Sequence, residues 1–289
     1  MSDSNDLQNF QTGIITAADG ARIGYRKIGA GPGMLLVHGA LQSSLNFTDL
    51  ARHLAGNFTV YIPDRRGRGL TDPYTEKDNL LTEANDICTL ARQTGTTRLF
   101  GLSSGAIIVL QAALLEPALK KIALYEPPIP ENETTFQKLF TQYEKAMSQR
   151  DLGRAFVAII KGAGDASFLT SLPTFMLVPL MNRMIKAQAK NTPVGELPLK
   201  DLIPTFTHDR MISTASMTLI EKAKNLKTDV LLLGGSKSQK YLKQVLDRLS
   251  ASIPHAKRVE LDNVGHLAAD NTGSPKKVAN ELIRHRQVL

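Results

Sequence analysis

The feature that most constrains the fold of this chain is an alternation of short apolar runs with segments whose apolar residues recur at helical spacing. Runs that are apolar on both faces are typical of parallel strands covered by helices on each side of a sheet. The alternation therefore predicts an α/β fold, with a mostly parallel sheet flanked by helices. Strands are expected at residues 22–28, 34–37, 58–62, 98–102, 121–125, 230–233 and 257–261.

The helical segments have recognisable ends. Apolar residues recur at helical spacing from Leu80 to Ala91, and Gly95 follows at a point where glycine commonly ends a helix. Near the end of the chain, Ser274 precedes Pro275, a pair typical of the first turn of a helix. We therefore expect helices between the strands and one further helix that closes the chain.

The alternation stops after residue 126 and resumes at about residue 227. We interpret residues 127–226 as a helical cap inserted into a core formed by residues 1–126 and 227–289. Its centre, residues 168–185, is an apolar stripe rich in methionine, so both packing onto the core and lining of an apolar pocket are open. Binding to a membrane surface is disfavoured, because Pro179 is expected to interrupt the amphipathic helix that this binding requires.

The charge of the chain bears on its partners. Lys and Arg total 35 and Asp and Glu total 27, which gives a net charge of +8 at pH 7. The basic residues are dispersed in small groups such as Arg65, Arg66 and Arg68, and the chain has no Trp to stack on a base. Binding of nucleic acid is therefore disfavoured, and we interpret the positive charge as a contribution to solubility.

Cysteine content and the start of the chain bear on the compartment. Cys88 is the one cysteine, which excludes an intramolecular disulfide and a cysteine-rich zinc site, and we interpret it as a core residue rather than a nucleophile. Residues 1–11 are polar and lack the apolar core of a secretory signal. No apolar run approaches the about 20 residues that cross a bilayer. A cytoplasmic protein without stable membrane insertion is expected.

The sharpest chemical motif is Gly101-Leu102-Ser103-Ser104-Gly105, which lies between a predicted strand and a predicted helix. In a nucleophile elbow the serine occupies a tight, strained turn, and the glycines two residues before and after it leave room for that turn. The serine then stands at the N-terminus of a helix, where the N–H groups and the dipole favour negative charge. The motif predicts Ser103 as a nucleophile.

A second motif follows the apolar run at residues 34–37, which ends in His38, Gly39 and Ala40. The backbone N–H of Ala40 is expected to join that of Ser104 in holding the oxyanion of a tetrahedral intermediate. We interpret His38 as a residue that shapes the loop rather than as a base, because the adjacent glycine indicates a turn.

The serine needs a base, and His266 is the best placed histidine. It follows the predicted strand at residues 257–261, in a loop with Gly265, and it lies downstream of the serine as the chain order of this arrangement requires. Four others fall in a predicted helix, in the cap, beside a proline and at the chain end: His53, His208, His255 and His285.

These motifs, in this order along the chain, resemble those of the α/β-hydrolase superfamily. Residues 64–69, Asp-Arg-Arg-Gly-Arg-Gly, are also similar to the family's Asp-x-x-Gly-x-Gly loop, which is structural there. The resemblance covers nearly the whole chain. It implies an eight-stranded, mostly parallel sheet, a helical cap over the active site, and Ser103 and His266 as nucleophile and base.

The chain departs from the family at the acid that orients the histidine. That acid is usually an Asp just past the strand that here spans residues 229–233, but residues 234–239 contain no carboxylate. Some members take the acid from the end of the strand that follows the elbow helix, and this position is Glu126. A carboxylate there would accept the N–H of His266 and select its tautomer. Asp247 and Asp262 are less well placed, and a dyad oriented by a water or by Ser236 is also open.

The resemblance implies a hydrolase that acts on an ester, thioester or similar acyl substrate with an apolar part, through an acyl-enzyme intermediate. A lyase, a carbon-carbon hydrolase and a cofactor-free perhydrolase use the same serine and histidine, so these activities are open alternatives. So is a non-catalytic ligand sensor, because the usual acid position lacks an Asp. The expected partner is a small molecule, and no cofactor or metal is implied.

Overall fold

The computed structural model describes residues 7–163, 172–192 and 197–287, and these contain an eight-stranded sheet. The strands are β1 (Gln11–Thr16), β2 (Arg22–Ile28), β3 (Gly33–Val37), β4 (Thr59–Pro63), β5 (Arg98–Leu102), β6 (Lys121–Tyr125), β7 (Asp229–Gly235) and β8 (Lys257–Leu261). They lie in the order β1-β2-β4-β3-β5-β6-β7-β8. From β4 to β8 neighbouring strands are parallel, whereas β2 pairs antiparallel with both β1 and β4. The predicted mostly parallel sheet is confirmed.

Strand β1 is the one that the apolar pattern does not predict. It lies at the edge of the sheet, and Ile15 is its one buried residue. An edge strand that buries so little carries almost no apolar alternation, because most of its side chains meet water.

The α-helices in the described residues are α1 (Thr48–Leu54), α2 (Leu80–Thr94), α3 (Ser104–Leu115), α4 (Gln137–Ser148), α5 (Leu152–Ala163), α6 (Thr174–Lys190), α7 (Leu199–Leu202), α8 (Phe206–Ala215), α9 (Leu219–Ala223), α10 (Lys240–Ser252) and α11 (Pro275–Gln287). Helix α2 ends at Gly95, whose φ is 65°. Among the described residues, no helix has both the length and the apolar character needed to cross a bilayer.

Both faces of the central strands are buried. On β3, Leu35 and Val37 belong to a cluster with residues of α2, α3 and α10, whereas Met34 and Leu36 belong to a cluster with residues of α1 and α11. The same alternation recurs on β6 and β7. Burial on both sides explains why these strands appear in the sequence as continuous apolar runs.

Helices α4 to α9 occupy the segment between β6 and β7, where the cap is predicted. Two smaller apolar clusters, with residues of α4, α5, α6 and α8, hold much of this segment together. Ile212 of α8 and Leu219 of α9 instead join the apolar cluster on the α3 side of the sheet. Helices α8 and α9 are therefore attached to the core by apolar packing as well as by the chain.

Helix α6 continues through Pro179, so the prediction that this proline interrupts the helix is wrong. Pro179 is exposed and removes one backbone hydrogen bond, and apolar packing of the buried residues of the helix offsets this loss. Leu177 and Met181 are buried, whereas Phe175 is 77% exposed. The start of the predicted methionine-rich stripe, residues 168–171, lies outside the described residues.

Candidate active site

The turn between β5 and α3 holds Ser103 in a backbone conformation that residues other than glycine rarely adopt. Its φ is 57° and its ψ is −126°. The N–H of Ser103 donates to the carbonyl of Tyr125 at the end of β6 (2.9 Å). Such a conformation is strained and persists where the surrounding structure holds it in place.

Two glycines provide the room for this turn. A Cβ added to Gly101 would lie 2.5 Å from the carbonyl oxygen of Gly105, and one added to Gly105 would lie 2.3 Å from the carbonyl oxygen of Val37. Both distances are far inside the about 3.5 Å of an ordinary contact. The spacing of the motif therefore follows from the close packing of β3, β5 and α3.

The loop after β3 presents a second backbone donor beside the elbow. Oε1 of Gln42 accepts the N–H of Gly39 (2.8 Å), and Nε2 of Gln42 donates to Asp270 (2.7 Å), so this side chain fixes the loop. The N–H groups of Ala40 and Ser104 donate to no acceptor within the described part of the chain. Both donors are therefore available to a ligand oxygen.

His266 and Glu126 are hydrogen-bonded across the carboxyl ends of β6 and β8. Nδ1 of His266 lies 2.8 Å from Oε2 of Glu126, and Oε1 of the same carboxylate accepts the N–H of Gly235 (2.6 Å). Glu126 is fully buried and has a φ of 46°. Because a carboxylate accepts, the ring proton lies on Nδ1, and Nε2 carries the lone pair.

The other groups weighed for orienting the histidine lie elsewhere. Asp262 is exposed and accepts from Nδ2 of Asn263 (2.8 Å), and Asp247 pairs with Arg258. Oγ of Ser236 accepts the N–H of Asn263 (2.8 Å), so it fixes the loop rather than the imidazole.

Ser103 and His266 line one cavity of about 390 Å³, together with Ala40 and Ser104. Much of its wall is apolar and comes from the segment between β6 and β7. These side chains are Phe136, Leu139, Phe140, Phe156, Ile159, Ile160, Leu199 and Phe206. No described residue of α6 lines the cavity, so the described part of the methionine-rich stripe does not form this pocket. A cavity of this kind suits a small molecule with an apolar part.

A buried ion-pair network touches Ser104. Oδ1 of Asp209, on α8, accepts from Oγ of Ser104 (2.7 Å) and from Nη1 of Arg65 (2.8 Å), and its Oδ2 accepts from Nη2 of Arg68 (2.6 Å). Arg65 also makes two hydrogen bonds to Glu83 on α2, of 2.6 and 3.0 Å. All these side chains are buried. The network therefore joins a helix of the predicted cap to the residue after Ser103.

The interpretation of the basic group at residues 65–68 as a contribution to solubility is wrong. Arg66 is buried as well and pairs with Asp78 (2.8 Å) and Asp86 (2.7 Å). The partners of this group lie far away in the sequence, so charge counting along the chain does not find them. The sequence signal that could have indicated buried ion pairs is that Glu83 and Asp86 interrupt the apolar face of α2.

His38 is buried beneath the loop after β3 and is bonded at both nitrogens. Its Nε2 accepts the N–H of Arg65 (3.2 Å), so Nδ1 carries the proton and donates to the carbonyl of Gly39 (3.0 Å). Burial and the charges of Arg68 and Arg65 hold the pKa of His38 well below its usual value. A neutral, fully bonded imidazole of this kind shapes the loop.

We expect Asp209 to make the stability of the protein depend on acid pH. Burial alone would raise its pKa, but the charges of Arg68 and Arg65 and the hydrogen bond from Ser104 outweigh burial and lower the pKa from 3.8 to about 2. A carboxyl with a lowered pKa stabilises the fold above its ordinary pKa. This contribution, about 2 kcal/mol, is lost as the pH falls from about 4 to about 2. Urea unfolding across this pH range measures it.

The matched variants for this prediction are Asp209→Asn and Asp201→Asn. Asp209→Asn should lose the acid-dependent part of the free energy of unfolding, and at neutral pH it should be less stable by about 3 kcal/mol or more, because two buried guanidinium groups lose an anionic partner. Asp201 is exposed and pairs with Lys200 at the surface, so its replacement should leave the pH dependence unchanged. Equal slopes below about pH 4 in both variants would contradict the prediction.

Within the described ranges, no group of three or more His, Cys, Asp or Glu side chains is arranged to hold a metal ion. Cys88 is buried in the apolar cluster on the α3 side of the sheet, and burial raises its pKa to about 11. Its thiol is therefore protonated at neutral pH and lies in the core.

One protein family and two individual curated proteins are similar to this chain in sequence. A family model described as the alpha/beta hydrolase fold matches residues 32–271. An uncharacterized hydrolase of Bacillus subtilis is 33% identical over 114 residues, which cover 38% of this chain and 42% of that protein. The N-formylmaleamate deformylase of Pseudomonas putida is 30% identical over 128 residues, which cover 43% of this chain and 48% of that protein. The chain thus spans less than half the length of these curated relatives.

Solved structures are similar over nearly the whole chain. An alpha/beta hydrolase from Sphaerobacter thermophilus has a TM-score of 0.76 at 22% identity, covering 95% of this chain and 100% of that one. A thermophilic esterase from Thermogutta terrifontis has a TM-score of 0.71 at 17% identity, covering 95% of this chain and 97% of that one. At these identities the likeness shows a shared fold.

Proposed function

The chain belongs to the alpha/beta hydrolase fold family, and from this membership we propose that it is a serine hydrolase of esters, thioesters or similar acyl compounds with an apolar part. The observation that carries the proposal is the hydrogen bond of 2.8 Å from His266 to the buried Glu126, at the wall of a cavity that Ser103 also lines. A strained serine, an imidazole and a carboxylate that orients it are the parts of a catalytic triad.

In the first half of the proposed reaction, Oγ of Ser103 gives its proton to Nε2 of His266 and attacks the substrate carbonyl carbon. The N–H groups of Ala40 and Ser104 stabilise the oxyanion, and Glu126 stabilises the imidazolium. The imidazolium then protonates the leaving group as its bond to the carbonyl carbon breaks. An acyl group remains on Ser103.

In the second half, His266 takes a proton from water, and the resulting hydroxide oxygen attacks the acyl carbon. The tetrahedral intermediate collapses, the bond to Oγ of Ser103 breaks, and Oγ recovers its proton from His266. The carboxylic acid product leaves, and the site returns to its starting state. Because much of the cavity wall is apolar, it should favour substrates whose acyl or alcohol group has a substantial hydrocarbon part.

A series of p-nitrophenyl esters from acetate to dodecanoate tests this proposal. We expect a pre-steady-state burst of p-nitrophenol equal to the enzyme concentration, because p-nitrophenolate is a good leaving group and acylation should therefore be faster than the attack of water on the acyl-enzyme. We also expect kcat/KM to rise with chain length by about 4-fold for each methylene until the cavity is full, since each buried methylene contributes about 0.8 kcal/mol. Stopped-flow and steady-state absorbance measure both.

The variant Ile160→Phe provides the matched control, since Ile160 lines the cavity from α5 and is only partly buried. The larger side chain should leave acetate hydrolysis nearly unchanged and lower kcat/KM for the longest esters by about 10-fold or more. A response that is flat across chain lengths in both proteins would remove the apolar wall from the proposal. No burst and no turnover with any ester would overturn the proposal itself.

A further inference from the structure

Most polar side chains in the cavity wall are already bonded to one another. Gln42 and Asn46 both donate to Oδ2 of Asp270, at 2.7 and 2.9 Å. Thr272 donates to Oδ1 of the same carboxylate through its backbone N–H (2.8 Å) and through Oγ1 (2.7 Å). These four residues therefore have little hydrogen-bonding capacity left for a substrate.

Two further polar side chains of the cavity wall, Asp209 and Ser213, are also hydrogen-bonded within the protein. Asp209 accepts from Ser104 and from two arginines, as described above, and Oγ of Ser213 donates to the carbonyl of Pro128 (3.0 Å). Bonded polar groups of this kind stabilise the wall, and a substrate group could use them only by breaking an existing bond.

The charged side chains in the cavity wall are acidic. Asp209 and Asp270 line the cavity, whereas no Lys or Arg is among its described lining residues. Both arginines that contact Asp209 lie behind the wall. A substrate carboxylate in this cavity would lose its hydration without gaining a cationic partner, and such a loss is costly.

Apart from Ser103 and His266, which the proposed reaction uses, Tyr241 is the exception among the described polar residues of the wall. It lies at the start of α10, lines the cavity, and packs edge to face on Phe136, with 5.6 Å between the ring centroids. Its hydroxyl has no hydrogen-bond partner within the described part of the chain. Burial and the nearby charge of Glu126 raise the pKa of Tyr241, so the hydroxyl keeps its proton and can donate it in a hydrogen bond.

We propose that this cavity selects neutral acyl substrates that carry, besides the scissile carbonyl, one further acceptor oxygen, and that Tyr241 is the residue that binds this oxygen. An ether, ester or amide oxygen has the required chemistry. The inference rests on the proposed function, and it deepens that function by naming the substrate class. An acceptor oxygen of this kind would form a hydrogen bond with the partly buried hydroxyl of Tyr241. A substrate carboxylate would instead be desolvated beside the carboxylates of Asp209 and Asp270, which is unfavourable.

The test compares Tyr241→Phe with the unmodified protein on three kinds of p-nitrophenyl ester of equal length. One kind has an all-carbon chain, a second is a set of isomers in which one methylene is replaced by an ether oxygen, and the third ends in a carboxylate. For at least one ether isomer, Tyr241→Phe should lower kcat/KM by about 3- to 10-fold, which is the effect expected from the loss of one neutral hydrogen bond. Most of this change should come from a higher KM. The all-carbon ester should change by less than about 2-fold.

The carboxylate ester should be hydrolysed at least about 100-fold more slowly than the all-carbon ester by both proteins. Tyr61→Phe is the matched control, because Tyr61 lies on β4 and does not line the cavity. It should leave all three kinds of ester unchanged.

Three outcomes would overturn the inference alone: no effect of Tyr241→Phe on any ether isomer, an equal fall for the ether and all-carbon esters, or efficient hydrolysis of the carboxylate ester. The equal fall would indicate a structural role for the ring hydroxyl. If the unmodified protein hydrolyses none of the esters, the proposed function fails, and the inference fails with it.

Discussion

Replacing Ser103 with alanine is expected to lower kcat/KM for ester hydrolysis by at least about 10⁴-fold. The reason is that Oγ is the atom that forms the acyl bond, and no neighbouring side chain can take its place: the hydroxyl of Ser104 is held between Arg65 and Asp209. A fluorophosphonate should label the unmodified protein at Ser103 and leave Ser103→Ala unlabelled. Steady-state kinetics and peptide mass spectrometry measure the two effects.

The control for this prediction is Ser148→Ala. Ser148 is exposed at the end of α4, so its replacement should preserve both turnover and labelling. If Ser103→Ala retained activity within about 10-fold of the unmodified protein, the serine would not be the nucleophile. If the folded, unmodified protein took up no fluorophosphonate, the ligand sensor suggested by the sequence would be favoured over an enzyme.

Replacing Glu126 with glutamine is expected to lower kcat by about 10³- to 10⁴-fold with little change in KM. The amide oxygen can still accept the N–H of Gly235, which the carboxylate now accepts at 2.6 Å. The amide nitrogen would then face Nδ1 of His266, and the ring would move its proton to Nε2. That tautomer cannot take the proton of Ser103. Kinetics on the best p-nitrophenyl ester, with thermal unfolding as a check of the fold, measure the effect.

Asp262→Asn is the matched control for the acid, because Asp262 is exposed and bonds to Asn263 rather than to the imidazole. We expect its kcat to stay within about 2-fold of the unmodified protein. A larger fall for Asp262→Asn than for Glu126→Gln would show that the orienting acid has been misidentified.

The sheet could be predicted because its central strands are buried on both faces, so their composition alone marks them. Strand β1 could not be predicted in this way, since it buries Ile15 and exposes most of its other side chains. Helix α6 is mispredicted for a related reason: a proline removes a backbone hydrogen bond, and the sequence around Pro179 does not show whether packing of the helix offsets that loss.

Within the candidate site, local motifs that contain glycines predict Ser103 and His266. Glu126 is predicted from the resemblance to a family, as the residue at the end of a strand. The bond from Glu126 to His266 depends on how the loops that follow β6 and β8 approach each other across the end of β7, and no local sequence pattern records this approach or the positive φ of Glu126. Their roles in catalysis stay predictions until the variants above are measured.

Two other residues at the site have no local signal. Asp209 and Tyr241 lie in helices, amid ordinary helical sequence, and they reach the cavity because of how those helices pack. The spacing of residues along the sequence indicates side chains that a local turn brings together. It does not indicate side chains that only tertiary packing brings together. The pattern of bonded and unbonded polar groups in the cavity wall therefore depends on the tertiary structure and leaves no signal in the sequence.

The bond between Asp209 and Ser104 also limits how this protein can be re-engineered. Grafting the segment between β6 and β7 from another hydrolase onto this sheet would delete the anion that Arg65 and Arg68 now share. A chimera of this kind would leave Arg68 without its acidic partner and Arg65 with Glu83 alone, unless the donor segment supplied an acid at the same place. Lid exchange in this scaffold must therefore be designed as a joint change on both sides of the graft.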